Sequence, residues 1–322
     1  MELPPRLRQA VDSALEGVAI SDLSAASKAL SLRYRNEVRD GRLHISDAKL
    51  ALAYIATRMP ATYAAIHASL TALAERAPDF APRTALDVGA GPGTVLWAAA
   101  AVWPDLQSIT LLEASPAIRA VGEKLTAASH LAHVDWRNSD VTRDSDRMAP
   151  SDLVTLAYVL DELSQDQRDR LVDRLWSLTS GVLVIVEPGT TAGWRRILQA
   201  RAQLIASGAN ILAPCPHTLA CPIVEPDWCH FAARVARSRV HRLAKEAEVP
   251  WEDEKYIYLA ASRMQAASRP ARVLTPPEAA KGRVRLKLCR PDGIAESRLV
   301  TRREGDAFKS ARRSDWGDTF GS

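Results

Sequence analysis

Cysteine is scarce in this sequence: four occur in 322 residues, and none before residue 215. Long apolar runs are missing as well. Strings such as residues 153–160 and 182–186 are strand-sized and fall short of the roughly 18 residues that a membrane-crossing helix requires, so no membrane partner is expected. Neither sign of charge dominates, with 42 Lys and Arg against 38 Asp and Glu for a net +4. The whole-chain charge therefore decides little, and its distribution becomes the informative quantity. Residues Met1-Glu2-Leu3-Pro4-Pro5-Arg6 lack the apolar stretch of a secretory signal and the acid-poor, Arg- and Ser-rich character of a transit peptide, which predicts a cytoplasmic location. What is present is ordinary: 47% hydrophobic and 25% charged residues exclude wholesale disorder and collagen-like or coiled-coil architectures. The length leaves room for one large domain with an appendage or for two compact ones.

Residues 1–80 carry helical periodicity, with Leu23, Ala26, Leu30 and Tyr34 on one face and Ile66, Leu70 and Leu73 repeating the spacing. After Ala81-Pro82-Arg83, strand-like runs at 85–88, 108–112, 134–137, 153–159 and 182–186 alternate with helical stretches. That alternation predicts an α/β fold with a mostly parallel sheet covered by helices. The expected organisation is an N-terminal helical region (1–80), a core (81–206), a cysteine-rich segment with a returning strand and a basic hairpin (207–305), and a flexible tail (306–322). Within the third part, a helix is expected over about 229–247, a strand at 256–260, and a hairpin of 284–289 with 298–301.

Asp87-Val88-Gly89-Ala90-Gly91-Pro92-Gly93 ends the first strand and opens a helix. Glycines allow a tight turn and close approach of a ligand, and a helix N-terminus offers unpaired N–H groups. Glu113 closes the next strand, where a carboxylate can accept ribose hydroxyls. A nucleoside pocket follows. The third glycine of a dinucleotide fingerprint is replaced by Thr94, and D-x-G-x-G-x-G instead resembles the class I S-adenosylmethionine-dependent methyltransferases. The resemblance implies cofactor contacts from Asp87, Gly89, Gly91, Gly93, Glu113 and Asp140. The amino-methyltransferase motif Asn/Asp-Pro-Pro-Tyr/Phe is missing after the fourth strand, where Leu156-Ala157-Tyr158-Val159-Leu160-Asp161-Glu162 stands. Asp161 and Glu162 are candidate proton acceptors or simply first-turn helix acids.

The cysteines, Cys215, Cys221, Cys229 and Cys289, cluster late in the chain. In a reducing compartment such a set reads as metal ligation before disulfides, and four thiolates suit tetrahedral zinc or an iron–sulfur cluster. The spacing lacks the C-x2-C knuckles of zinc ribbons and the C-x3-C-x2-C of radical enzymes. Asp227 is expected to cap the following helix, with Cys229 in its first turn. His217 and His230 are substitute ligands or packed side chains, and Pro214-Cys215 is similar to the Pro-Cys of RNA cytosine-5 methyltransferases.

Taken in order, Leu30-Ser31-Leu32-Arg33-Tyr34-Arg35, Glu187-Pro188-Gly189-Thr190, Ala213-Pro214-Cys215-Pro216-His217, Asp227-Trp228-Cys229-His230-Phe231 and Leu288-Cys289-Arg290-Pro291-Asp292-Gly293 resemble the bacterial and mitochondrial methyltransferase-like family of small-ribosomal-subunit assembly factors. That resemblance implies a methyltransferase fold, a [4Fe-4S] cluster on Cys215, Cys221, Cys229 and Cys289, association with the small subunit near rRNA, and doubtful methyl transfer. The alternative is an active RNA or protein methyltransferase with structural zinc. Charge points to RNA independently. Residues 263–322 hold fourteen Lys and Arg against seven Asp and Glu. On the expected 229–247 helix, Arg234, Arg237, His241 and Lys245 form one stripe, and the hairpin adds Arg283, Arg285 and Lys287. Such charge attracts phosphates without reading sequence, and no DNA partner is expected.

Overall fold

Alanine and leucine at helical spacing shape the first part of the chain. The computed structural model describes residues 1–36, 43–139, 148–265 and 269–321, and it opens with α1 (Pro5–Ala14), α2 (Ile20–Arg35), α3 (Ala48–Thr57) and α4 (Met59–Arg76). Proline at the start of α1 forfeits only an amide that has no helical partner. Asp47 caps α3 by accepting from the Leu50 amide at 3.0 Å. The expected stripes are the buried ones: Leu23, Ala26 and Leu30 in α2, and Ile66, Leu70 and Leu73 in α4.

The α/β part runs β1 (Thr84–Val88), α5 (Thr94–Val102), β2 (Ser108–Leu112), α6 (Pro116–Thr126), β3 (His133–Arg137), β4 (Ser151–Ala157), α7 (Gln165–Ser177), β5 (Thr179–Pro188), α8 (Thr191–Ala206), β6 (Asn210–Ala213), β7 (Phe231–Ala236), α9 (Arg239–Ala244) and β8 (Trp251–Ser262). Its spatial order is β3-β2-β1-β4-β5-β8-β6, with β7 also paired to β8. Strands β1 to β5 are parallel, and β8 returns antiparallel to β5. The order reverses between β1 and β4, so the loops leaving those strands part and open a crevice at their C-terminal ends.

Beyond it lie β9 (Ala271–Val273), β10 (Glu278–Ala280), β11 (Arg283–Cys289), β12 (Ala295–Thr301), α10 (Asp306–Arg313) and β13 (Thr319–Phe320). These strands form a second sheet centred on β11. Val284, Leu286 and Leu288 alternate inward on β11 and meet Val300, Phe308, Ala311 and Phe320 in a core of their own.

Two expectations are corrected. The helix over about 229–247 is instead β7 followed by the single short helix α9. Residues 231–236 bury Phe231, Ala233 and Val235 alternately and are claimed by the open edge of β8, a tertiary pairing that overrides local periodicity. Ser238, rather than Asp227, caps the helix that follows. The expected flexible tail, 306–322, instead supplies α10 and β13. The apolar side of α10 closes the second core, and Phe320 pairs with Ala271.

Candidate functional site

The glycine loop adopts the geometry its composition requires. Gly89, Gly91 and Gly93 have φ of 72°, 53° and 79°, a left-handed region costly for other residues. A Cβ at Gly89 would lie 2.4 Å from a Val159 methyl, whereas one at Gly91 would meet nothing within 4 Å. Gly89 is therefore fixed by packing, while Gly91 presents bare backbone. Glu113 sits at the end of β2, where its two carboxylate oxygens accept from the Gly91 amide at 2.8 Å and the Ser115 amide at 2.7 Å. Asp87 is buried at the end of β1 and accepts from the Thr155 hydroxyl at 2.7 Å, while its other oxygen has no partner among the described residues. Burial pushes its carboxyl up to about 7. Asp140 lies outside the described residues.

Gly89, Gly91 and Glu113 line one wall of a cavity of about 1670 Å³ at the strand-order reversal. That volume exceeds the 300 to 1,000 Å³ usual for small-ligand sites. The far wall comes from the ends of β4 and β5. Tyr158 holds φ at 60°, a strain of order 1–3 kcal/mol for a non-glycine residue, and its phenol donates to Glu254 at 3.2 Å. Asp161 and Glu162 belong to a 3-10 turn rather than to an α-helix. Burial and the nearby Asp161, Glu113 and Glu187 push Glu162 up to about 8. Glu187 is fully buried against Arg196 at 2.7 Å and accepts from the Leu160 amide. From the N-terminal part, Tyr34 stacks on His44, and the Arg58 guanidinium lies over the Tyr34 ring 5.3 Å from its centre. Sequence reasoning assigned no role to Tyr158, Glu187, Arg196 or Arg58; an acid ending the otherwise apolar run of β5 was the available signal.

The cysteine loop has a topological cause. β6 and β7 pair with successive parts of one edge of β8, Ala213 opposite Ala260 and Phe231 opposite Tyr256. The loop between them must leave that edge and return close by, carrying Cys215, Cys221 and Cys229 with it. Cys289 arrives at the end of β11 with its Sγ 3.4 Å from His217 Nε2. All four thiols are free and stand within electrostatic reach of one another. Burial raises Cys229 well above its ordinary value, and Cys215, Cys221 and Cys289 add to the rise. Burial likewise pushes Cys289 up to about 12, reinforced by Cys215 and Cys221. Among the described residues, no group of three or more His, Cys, Asp or Glu side chains is arranged to hold a single metal ion. His230 is packed between Trp228 and Trp316.

The expected basic stripe dissolves with its helix. Arg234 lies on β7, paired with Asp253 at 2.8 Å. Arg237 and Lys245 both hold Glu252, at 2.9 and 2.8 Å. His241 is fully buried beside the same acid, and burial pushes it down to about 4. Arg237, His241 and Lys245 thus turn onto the half-buried Glu252, while Arg234 stays exposed in its pair with the exposed Asp253. The hairpin differs: Arg283 and Arg285 are exposed and Lys287 half-buried on the outward side of β11. Lys287 is paired with Asp227, and Arg285 lies 3.6 Å from Glu278.

A mostly parallel sheet reversed between β1 and β4, one antiparallel strand beside β5, and a glycine loop with a strand-end acid at the reversal define a methyltransferase-like α/β protein. The chain belongs to the family described as mitochondrial small ribosomal subunit Rsm22, whose pattern matches residues 48–321. It is 31% identical over 288 residues to the human mitochondrial ribosome assembly protein METTL17, covering 84% of this chain and 62% of that protein. It is 26% identical over 321 residues to the mitochondrial Rsm22-cox11 tandem protein 2 of Schizosaccharomyces pombe, covering 84% of this chain and 43% of that one. The chain thus spans about two-fifths to three-fifths of the length of these relatives. Among solved structures, an O-methyltransferase family protein from Burkholderia thailandensis superposes with a TM-score of 0.47 at 14% identity, covering 77% of this chain and 72% of that chain. The cytoplasmic location expected from residues 1–6 is overturned by the relatives, which are named as mitochondrial proteins. Compartment addresses are read by receptors and are not a property of a folded core. No helix among the described residues is long and apolar enough to cross a membrane.

Proposed function

We propose that this chain is an S-adenosylmethionine-binding, methyltransferase-like assembly factor of the small ribosomal subunit that contacts rRNA, carries a [4Fe-4S] cluster and acts by binding rather than by turnover. The observation that carries the cofactor part is the meeting of Gly89, Gly91 and Glu113 on one cavity wall with open backbone at Gly91. In this reading Gly89, Gly91 and Gly93 lie against the methionine part. Glu113, whose carboxylate has lone pairs beyond those taken by the two amides, holds the ribose. Bound S-adenosylmethionine supplies an electrophilic methyl group; the chain's own residues bind and orient it.

Cys215, Cys221, Cys229 and Cys289 would hold the cluster. Four free thiols in mutual electrostatic reach are the donor set of a four-thiolate centre, and family resemblance favours the cluster over zinc. Membership of the Rsm22 family supports the ribosomal partner. Arg283 and Arg285, exposed on the outward side of β11, are the leading cations for rRNA phosphates, with Lys287, half-buried against Asp227, beside them. Three measurements test this reading. Anaerobically purified protein should be brown with about four irons per chain. The cavity should bind S-adenosylmethionine, and Gly91→Arg should abolish that binding. Co-sedimentation with small subunits should weaken as salt rises, and failure to bind at any salt would remove the RNA proposal.

A second reading, an active RNA or protein methyltransferase with structural zinc, draws on Glu162. A carboxyl held at about 8 beside the cavity is tuned near neutrality, as general acid–base catalysis asks. Methyl transfer from labelled cofactor to rRNA or a ribosomal protein, lost in Gly91→Arg, would decide for it.

A further inference from the structure

Two arginines beside the cysteines are buried, with no acid partner among the described residues. Arg201, on the buried side of α8, donates from one guanidinium nitrogen to the carbonyls of His217 and Leu219, at 2.7 and 2.9 Å. Those carbonyls belong to the stretch between Cys215 and Cys221. Arg272, on β9, donates to the carbonyl of Pro214 at 3.0 Å, immediately before Cys215, and to that of Gly317 at 2.6 Å. It also stands directly opposite Cys289 across the β9–β11 pairing, so the two side chains leave the same face of that sheet. Both residues are about 5% exposed or less. Among the described residues neither guanidinium has a carboxylate within ion-pair distance, and the nearby Asp292 is held by Arg290.

A buried cation bonded only to neutral carbonyls keeps most of its desolvation cost, and proteins place such charges where an anion belongs. Arg76 is near enough for Arg272 and Arg269 to add to the lowering that its burial causes, against Tyr258, so further cations stand close by. Four thiolates around a zinc ion, or around an oxidised [4Fe-4S] core, leave two net negative charges. Two guanidiniums match them.

We infer that Arg201 and Arg272 are the counter-ions of an anionic four-thiolate centre, setting its reduction potential and holding the loop that carries Cys215 and Cys221. This inference rests on the centre proposed above. Positive charge favours the reduced cluster, which is the more negative form, so removing one should lower the midpoint potential. The arginines act through the thiolates and are positioning residues.

The test uses the full chain reconstituted anaerobically, with Arg201→Gln, Arg201→Lys, Arg272→Gln and Arg272→Lys compared by spectroscopically monitored redox titration. Each Gln variant should raise the oxidised-to-reduced ratio at a fixed solution potential about tenfold, equivalent to about 59 mV for one electron. Each Lys variant, which keeps the charge but loses the fork that grips two carbonyls, should stay near wild type. Equal potentials in Gln and Lys variants would overturn the inference, because a purely structural role is lost in both. Absence of iron and sulfide in the wild type would instead reject the cluster. The charge claim is then read from Co(II) affinity, weakened about tenfold by Gln and spared by Lys. Equal affinities in the two would overturn it there as well.

Discussion

The strand-end cavity and the cysteine centre differ in how their buried charges are balanced. Around the cavity, Asp87, Glu113, Glu162 and Glu187 crowd together, and burial raises every one of their carboxyls. Around the cysteines, Arg201 and Arg272 stand buried with no carboxylate in ion-pair distance among the described residues. Arg58 and Arg196 line the cavity as well, so it is a site of mixed charge whose carboxyls are pushed toward their neutral forms, whereas the buried arginines leave the cysteine centre suited to an anion. The two also differ in assembly. Asp87, the glycine loop and Glu113 come from one strand–helix–strand unit, whereas the cysteines come from a loop on the edge of the main sheet and from the end of a strand in the second sheet. One site is local and the other depends on how two sheets dock.

The largest effect should separate them. Cys289→Ala removes the only cysteine contributed by the second sheet. Iron should fall from about four per chain toward zero, with a loss of about 4 kcal/mol or more of folding stability in urea, as for loss of a metal. S-adenosylmethionine binding, followed by calorimetry, should stay within about threefold of wild type. Equal damage to both readouts would show that the two regions are one cooperative site.

Next comes pH at Asp87. Its carboxyl is raised from 3.8 to about 7 in the folded chain. Its contribution is fully present below the unfolded value and is lost as pH rises through about 7. Asp87→Asn does not titrate. It should therefore stabilise the fold at pH 8 relative to wild type by a few kcal/mol and show little difference at pH 4, while weakening cofactor binding. A variant whose urea midpoint tracks wild type across that range would place the proton elsewhere.

Sequence made the local region readable and left the distant one half read. The five parallel strands, the glycine turn and the strand-end acid are set by neighbours in the chain, so composition and spacing reach them. The helix expected over residues 229–247 failed because Phe231-Ala232-Ala233-Arg234-Val235-Ala236 suits either periodicity, and only the unpaired edge of β8 decides between them. The same decision turned Arg237 and Lys245 inward onto Glu252. The tail went unread because the apolar face of α10 is short, and its burial depends on β11 and β12 being already in place. Arg201 was invisible as a functional residue because one cation among Ile197, Ala200 and Leu204 gives no sign of what it faces.

A smaller effect distinguishes packing from ligand contact within the cavity. At Gly89 the left-handed φ and the Val159 methyl both oppose a side chain, so Gly89→Ala should cost about 2–3 kcal/mol of stability. At Gly91 only the backbone objects. Gly91→Ala should cost about 1 kcal/mol, yet should reduce cofactor affinity by more than its stability loss suggests, because the new methyl fills space facing the ligand. Chemical denaturation and calorimetry on the same preparations separate the two terms.

The smallest effect concerns RNA and leaves the fold alone. Arg283 and Arg285 are exposed and project from the outward side of β11, opposite the buried Val284 and Leu286. Replacing both by Ala removes no core contact, so the unfolding midpoint should hold and cluster content should be unchanged. Each cation that meets a phosphate contributes one displaced counterion, and the double variant should lower the slope of log affinity against log salt by up to about 1.8 on duplex rRNA. Arg234→Ala is the matched control, an exposed cation on the other sheet paired with Asp253 at 2.8 Å; it should leave that slope where it was. If Arg234→Ala changed the slope as much as the hairpin variant, rRNA would be reading the β7–β8 edge, and the basic surface would belong with the cavity rather than with the cysteine centre.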